Sequence, residues 1–487
     1  MYEHLAPIWG SPPTQAVIAL HEKWAAGGWG IVMTGNVQVA KDHLPLGRDL
    51  TVPDVLTDET LAPWRRLADT IHHAVAWWRQ SLNFYGGRPL FAPPLAPSPV
   101  RVGQMHGGKD GWLSRLAHWL LLQVPKEMTH DDIRGVIQQF VLGAQLAARS
   151  GFDGIELHAA HGYLLSQFIS PKTNRRTDEY SAERDPLRLL REVVEAIRAP
   201  GVVPDDFVVG VKLNAADYAR DTSELQESRA LEHVREIGTW GLVDTIQVSG
   251  GDYEDPRACT ILSPDWVGLT VTAEFIDTTL EFKSARQVVF ESFAERSISV
   301  LASCTPTATS RPPPLVLLTG GLNTLPRMAS AVGHEHAHLL GIGRLSVLHP
   351  RLPLEISASL SNNDATFLQS APPAPSELGD PPGSHLSWRA LERALWYVCL
   401  MVWPYIPARL PRVVGASANV NWYNYAMRRY AFGEGVDWTV GTVGSMARFF
   451  LLPAPYVGKD DGDDGWLWWF AMGAVGVVVG VVLGQVV

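Results

Sequence analysis

Helical and strand patterns take turns between residues 14 and 357, and that alternation constrains the fold more than any other feature of the chain. "TQAVIALHEKWAAGG" carries apolar residues at helical spacing and stops at Gly27 and Gly28, after which "WGIVMTG" is a short apolar run. "MTHDDIRGVIQQFVLGAQLAARSGFDGIELH" repeats the step. There Thr129 and Asp132 read as a capping box, Gly151 as a helix stop, and Gly154 to His158 as the next strand. The grammar recurs in "PLRLLREVVEAIR" then "FVVGVKL", in "ELQESRALEHVREIG" then "VDTIQVSGG", and in "LVLLTGG", a helix, then "HLLGIGR". Strands separated by helices pair in parallel, so an α/β fold with a parallel sheet covered by helices is expected.

Polar residues gather where the strands end. Thr34, His158, Lys212, Ser249, Thr319 and Arg344 all lie at or just beyond the carboxyl end of a strand reading. A (β/α)8 TIM barrel builds its site at that end and commonly forms a phosphate pocket after its last two strands. "TGG" at 319–321 and "GIGR" at 341–344 close the last two units. Glycines there let backbone amides approach a phosphate, and an arginine pairs with it through two bonds. "GIG" lacks the third glycine of a dinucleotide fingerprint, which argues against a Rossmann domain.

"HAAHGY", residues 158–163, sets two imidazoles and a phenol within six positions directly after a strand. Three readings fit the residues alone: a metal site, a polar turn with satisfied histidines, or hydrogen-bond donors for a substrate. The metal reading lacks a nearby cysteine or carboxylate in helical register, so no metal is expected.

Charge and cysteine usage narrow the partners. With 50 acidic against 40 basic residues the net charge is −10, which disfavours nucleic acid, since general polyanion binders present a positive surface. Cys259, Cys304 and Cys399 show neither paired nor zinc-type spacing, as suits a reducing compartment.

The stretch "GFDGIELHAAHGYLLSQFISPKTNRRTDEY" resembles the core motif of the old yellow enzyme family of FMN-dependent ene-reductases (NADH:flavin oxidoreductases). "WAAGGWGIVMTGNVQV", "GVKLNAADY", "VSGGDYEDP", "LLTGGLNT" and "LLGIGRLSVLHP" follow the order that family shows, over roughly residues 1–357. The resemblance implies a TIM barrel that binds FMN and draws electrons from NADH or NADPH. It implies that His158 and His161 hold the carbonyl oxygen of an α,β-unsaturated substrate and that Tyr163 protonates its α-carbon. It further implies that Thr34, Lys212, Gly320, Gly321, Gly343 and Arg344 contact FMN, the last four at its phosphate.

Two departures from the family pattern carry expectations of their own. Strand readings number six, near residues 30, 155, 210, 246, 317 and 340, so strands 1 and 3 of the barrel are expected to be missing. The family would complete its first strand before "MYEHLA" and would place a third, ending in a flavin-binding glutamine, over "ADTIHHAVAWWRQSLNFYGG", where "RQS" (Arg79 to Ser81) alone matches. An incomplete gene model or a natural truncation would account for both, and a catalytically inactive membrane-anchored scaffold is the alternative to an enzyme. "SPDWVGLTVTAEFIDTTLEFKSARQVVFESFAERSISVLASCTPTATSRPPP" exceeds a minimal strand-to-helix connection and reads as containing a surface insertion or retained non-coding sequence.

Beyond the barrel domain (1–357), a Pro-rich linker is expected at 358–385, a helical extension at 386–455 and an acidic spacer at 456–465. In the extension, Leu395 to Ile406 is too short an apolar run to span a bilayer, and "WYNYAMRRYAFG" reads as an amphipathic helix. From Trp466 to Val487, 22 positions hold no charged residue, enough for a helix to cross the hydrocarbon core. A single-pass C-terminal membrane anchor is expected, with the catalytic domain facing the cytosol.

Overall fold

Ten strands and eleven helices follow one another among the described residues of the computed structural model. It describes residues 5–7, 10–41, 49–71, 75–80, 93–100, 124–215, 223–250, 285–305, 311–362, 367, 369, 413–438, 440–441 and 445. The strands are β1 (Ile31–Gln38), β2 (Leu50–Thr51), β3 (Val75–Gln80), β4 (Leu95–Ala96), β5 (Lys126–Glu127), β6 (Gly154–Ala159), β7 (Val208–Asn214), β8 (Thr245–Ser249), β9 (Leu315–Thr319) and β10 (Leu339–Gly341). The helices are α1 (Gln15–Ala25), α2 (Asp58–Thr70), α3 (His130–Arg149), α4 (Leu164–Ile169), α5 (Arg188–Arg198), α6 (Ser223–Trp240), α7 (Ala285–Ala302), α8 (Leu325–Gly333), α9 (Arg344–Leu348), α10 (Leu352–Ser361) and α11 (Val413–Ala431).

Eight strands make one sheet in the order β10-β9-β8-β7-β6-β3-β1-β2, paired in parallel throughout. Leaving aside the two-residue β2, neighbours follow chain order, as a barrel wall requires. The capping box expected at α3 is present: the Thr129 hydroxyl accepts from the Asp132 amide while Asp132 accepts from the Thr129 amide. Gly151 stops that helix at φ +89°. Both features start and stop α3 so that its face of Ile133, Val136, Phe140 and Ala144 lies in the core shared with β6.

The expectation that the third barrel strand is missing is overturned. Residues 75–80 form β3, which pairs with β1 (Ile31↔Val75 through Val37↔Gln80) and with β6 (Arg79↔Glu156, Gln80↔Leu157). Without it the facing edges of β1 and β6 would carry unpaired backbone groups, and filling that gap outweighs the poor match to the family's motif. A strand at the family's first position is not found among the described residues. On that side the sheet ends at β2, with one further parallel bridge from Ser11 to Leu50.

Helix contacts draw the two ends of the sheet together. Trp24 at the end of α1 donates its indole N–H to the Ser346 carbonyl (2.9 Å), and Trp29 donates to the Pro350 carbonyl (2.7 Å). A Cβ on Gly27 would stand 2.2 Å from the Pro350 oxygen, so only glycine allows this approach. Helix α11 packs on α1 and α9, straddling the same junction, and its Trp422 is buried with the indole bonded to the Val440 carbonyl (2.8 Å). The helix expected at "WYNYAMRRYAFG" is thus part of the body of the protein rather than an appendage.

In the long segment before β9, expected to contain an insertion in part, the second half is α7, with Phe290 and Phe293 each 1% exposed and packed against β8 and β9. That helix is the one the barrel needs between those strands. Helix α10 continues past residue 357 to Ser361, into the segment expected as linker. Among the described residues no helix is long and apolar enough to cross a membrane. The 395–406 run, the acidic spacer at 456–465 and the anchor at 466–487 lie outside the described residues.

Candidate active site

Side chains alternate across a strand, so the register of β6, β7 and β8 sorts their residues into two faces. Ile155, Leu157, Ala159, Val209, Val211, Leu213, Ile246 and Val248 share one face, all buried in the apolar core. The other face holds Glu156, His158, Lys212, Asn214, Gln247 and Ser249, none more than 6% exposed. His158 is in register with Lys212, Lys212 with Gln247, and Asn214 with Ser249. Barrel interiors are usually layered with branched apolar side chains, and burying polar groups costs several kcal/mol unless they are paired. A buried polar face of this extent marks a surface made for a polar ligand.

The turn after β6 completes it. The Ala160 amide donates to His158 Nδ1 (3.3 Å), so Nδ1 is the acceptor and a neutral ring carries its proton on Nε2. His161 has φ +59° and Gly162 has φ +75°. The left-handed conformation costs a non-glycine residue about 1–2 kcal/mol, and such strain gathers at functional sites. The His161 amide donates to Asn214 Oδ1 (3.3 Å), and its ring Nε2 lies 2.7 Å from Ser249 Oγ. Tyr163, 1% exposed, opens α4, and Gln167 fastens that helix back by donating to the Gly162 carbonyl (2.7 Å).

Three expected residues therefore meet. The His158 ring lies 4.9 Å from that of His161 and 4.5 Å from that of Tyr163, centroid to centroid, both edge to face; His161 and Tyr163 are 6.4 Å apart. Lys212 stands in register beside His158. Thr34 is buried on β1, with its hydroxyl donating to the Gly35 carbonyl (3.2 Å). The two glycine turns come side by side because Thr319 and Gly341 are register partners of β9 and β10. Gly320 and Gly321 adopt φ +108° and +72°, Gly343 precedes α9 with open space where a Cβ would be, and exposed Arg344 begins α9.

A flavin mononucleotide fits this set. Two adjacent glycine turns leave backbone near an arginine for a phosphate, and a polar stripe accepts a heterocycle edged with carbonyls and N–H groups. On β1, two residues beyond Thr34, the Asn36 side-chain N–H group is buried and has no hydrogen-bond partner among the described residues, a donor that a bound heterocycle could satisfy. Asn36, Asn214 and Gln247 had no role in the sequence reading. Ser249 is legible in the sequence as a polar strand end. Their position on the inner face follows from register, and the amino-acid pattern does not show it.

Comparison with known proteins agrees with this geometry. The model of the NADH:flavin oxidoreductase / NADH oxidase family matches residues 10–257. The NADH-dependent flavin oxidoreductase iliE of Hypocrea jecorina is 33% identical over 74% of this chain and 84% of its own length. The iliE protein of Neonectria sp. is 36% identical over 72% of this chain, which spans only 43% of that longer relative. Among solved structures, the old yellow enzyme homologue from Zymomonas mobilis matches the fold with TM-score 0.51 at 17% identity, over 74% of this chain and 87% of its own.

Proposed function

The chain belongs to the NADH:flavin oxidoreductase / NADH oxidase family, whose cofactors are FMN and a nicotinamide, and on that premise we propose that it reduces the activated C=C bond of an α,β-unsaturated carbonyl compound. The observation that carries this reading is the meeting of two imidazoles and a phenol at the rim of a buried polar face. The chemistry supplied by a bound FMN would be hydride transfer from NADH or NADPH to the substrate's β-carbon. His158, with its proton on Nε2, and His161 donate to the carbonyl oxygen, where negative charge grows as the hydride arrives. Loss of one such donor costs about 10²–10³ in rate. Tyr163 gives its phenolic proton to the α-carbon, so that one hydride and one proton add across the double bond. Lys212, in register with His158, would offer a cation to the flavin. Gly320, Gly321, Gly343 and Arg344 would hold the phosphate.

The purified protein tests this directly. It should carry or take up FMN, bleach when NADH or NADPH is added without oxygen, and regain its yellow colour with 2-cyclohexenone. A colourless protein that cannot be reconstituted would restore the scaffold reading. The uncharged run of 22 residues from Trp466 to Val487 supports a membrane anchor with the barrel on the cytosolic side. Deleting it should move the protein to the soluble fraction, and continued retention on membranes would refute the anchor.

A further inference from the structure

We propose that Ser249 is a positioning residue that holds the His161 imidazole through Nε2 and so fixes how that ring meets a ligand oxygen. The inference rests on the reading of His161 as a substrate-binding donor. Hydrogen-bonding contacts from the ends of neighbouring strands tether this histidine, one to its backbone and one to its ring. Asn214 Oδ1 accepts the His161 amide and Ser249 Oγ lies 2.7 Å from the ring nitrogen, while Asn214 and Ser249 are themselves register partners of β7 and β8. The tethered residue sits in a left-handed turn, φ +59° followed by Gly162 at φ +75°. Its own turn is not a regular element that would orient the ring.

A hydroxyl suits this place in a way that an ionised carboxylate, which can only accept, does not. When His161 is neutral, the Ser249 O–H can donate to Nε2, which keeps the ring proton on Nδ1. When the ring takes up a second proton, Nε2–H donates and the hydroxyl turns to accept. The contact survives both charge states, so the ring keeps its aim as negative charge appears on a bound oxygen. Ser249 is 6% exposed, and its carbonyl accepts from the Ala215 amide (2.7 Å). The backbone thus secures the strand, which leaves the hydroxyl separable from folding.

The test uses the full chain loaded with FMN and labelled with 15N-histidine, with the His161 ring signals assigned by their loss in His161→Gln. Ser249→Ala should move the His161 ring nitrogen shifts and weaken binding of 4-nitrophenolate, a probe with a single oxyanion, by about tenfold, the worth of one hydrogen bond to a charged group. Ser249→Thr, which keeps the hydroxyl, should restore both. Unchanged His161 ring shifts in Ser249→Ala, or a loss that threonine does not repair, would overturn the proposal. A protein that reduces no enone but still shows the Ser249-dependent ring shifts and probe binding would lose the proposed reaction and keep this positioning role.

Discussion

The wall made of β6, β7 and β8 and the seam where α1 meets α9 solve different problems. In the wall, a ladder from Gly154↔Val208 to Asn214↔Ser249 sets every side chain by backbone pairing, and the register lines up His158, Lys212 and Gln247. At the seam no strand pairing joins β10 to β1 or β2 among the described residues. Two indoles reach carbonyls 321 and 322 residues away, and a glycine backbone abuts Pro350. A ladder gives the ångström-level placement that chemistry needs, whereas the seam has only to hold the ring of helices closed. Damage to the wall should therefore appear as lost chemistry, and damage to the seam as lost stability.

The largest expected effect breaks the wall without touching the fold. Tyr163→Phe keeps a buried ring and removes the proton, so flavin reoxidation by an enone should slow about 10²–10⁴-fold. Stopped-flow absorbance should show reduction by NADH nearly unchanged, and equal loss in both half-reactions would remove the phenol from its role. Next in size, Trp24→Ala opens a cavity at the seam and deletes the bond to Ser346. It should cost about 3–5 kcal/mol, read as a lower urea midpoint, with probe binding at His158 and His161 unaltered in the molecules that remain folded.

Acidity gives a third comparison, from a helix behind the wall. Burial, followed by the charge of Arg229, lowers the His233 pKa to about 4 from an ordinary value near 6.5. The unfolded chain therefore binds a proton on this group at a pH where the folded chain does not. Its contribution to stability is intact above pH 6.5 and lost as pH falls from there to about 4, amounting to about 3 kcal/mol in total. In His233→Leu the unfolding free energy should fall less steeply across that window, and an unchanged slope would show that His233 is not the group responsible. The smallest effect sharpens the seam: Gly27→Ala forces its Cβ toward the Pro350 oxygen and should cost about 1–3 kcal/mol. A thermal scan should show the loss while enone turnover at 25 °C stays unchanged.

The sequence shows much of this fold because helices and strands write their periods locally. The capping box of Thr129 and Asp132, the stop at Gly151 and the alternation from α1 to β10 depend on residues a few positions apart, and they stand where the pattern puts them. His158, His161 and Tyr163 are legible for the same reason, being six positions in one turn. Residues 75–80 were harder. A short apolar run with a degraded motif becomes β3 only because β1 and β6 offer it two open edges. Likewise α7, within a segment that reads as containing an insertion, stands as the helix between β8 and β9.

By itself, the sequence determined most of the order of elements, the cluster of two imidazoles and a phenol in "HAAHGY" and the glycine turns after the last two strands, since each is encoded within a few residues. Only the tertiary structure decided that Asn214 and Ser249, 53 and 88 positions from His161, would grip that histidine. It also decided that α1 and α11 would meet beside α9 at the seam. Such meetings depend on sheet register, which a slip of one residue would invert, and on closing loops of tens to hundreds of residues, for which no local pattern codes.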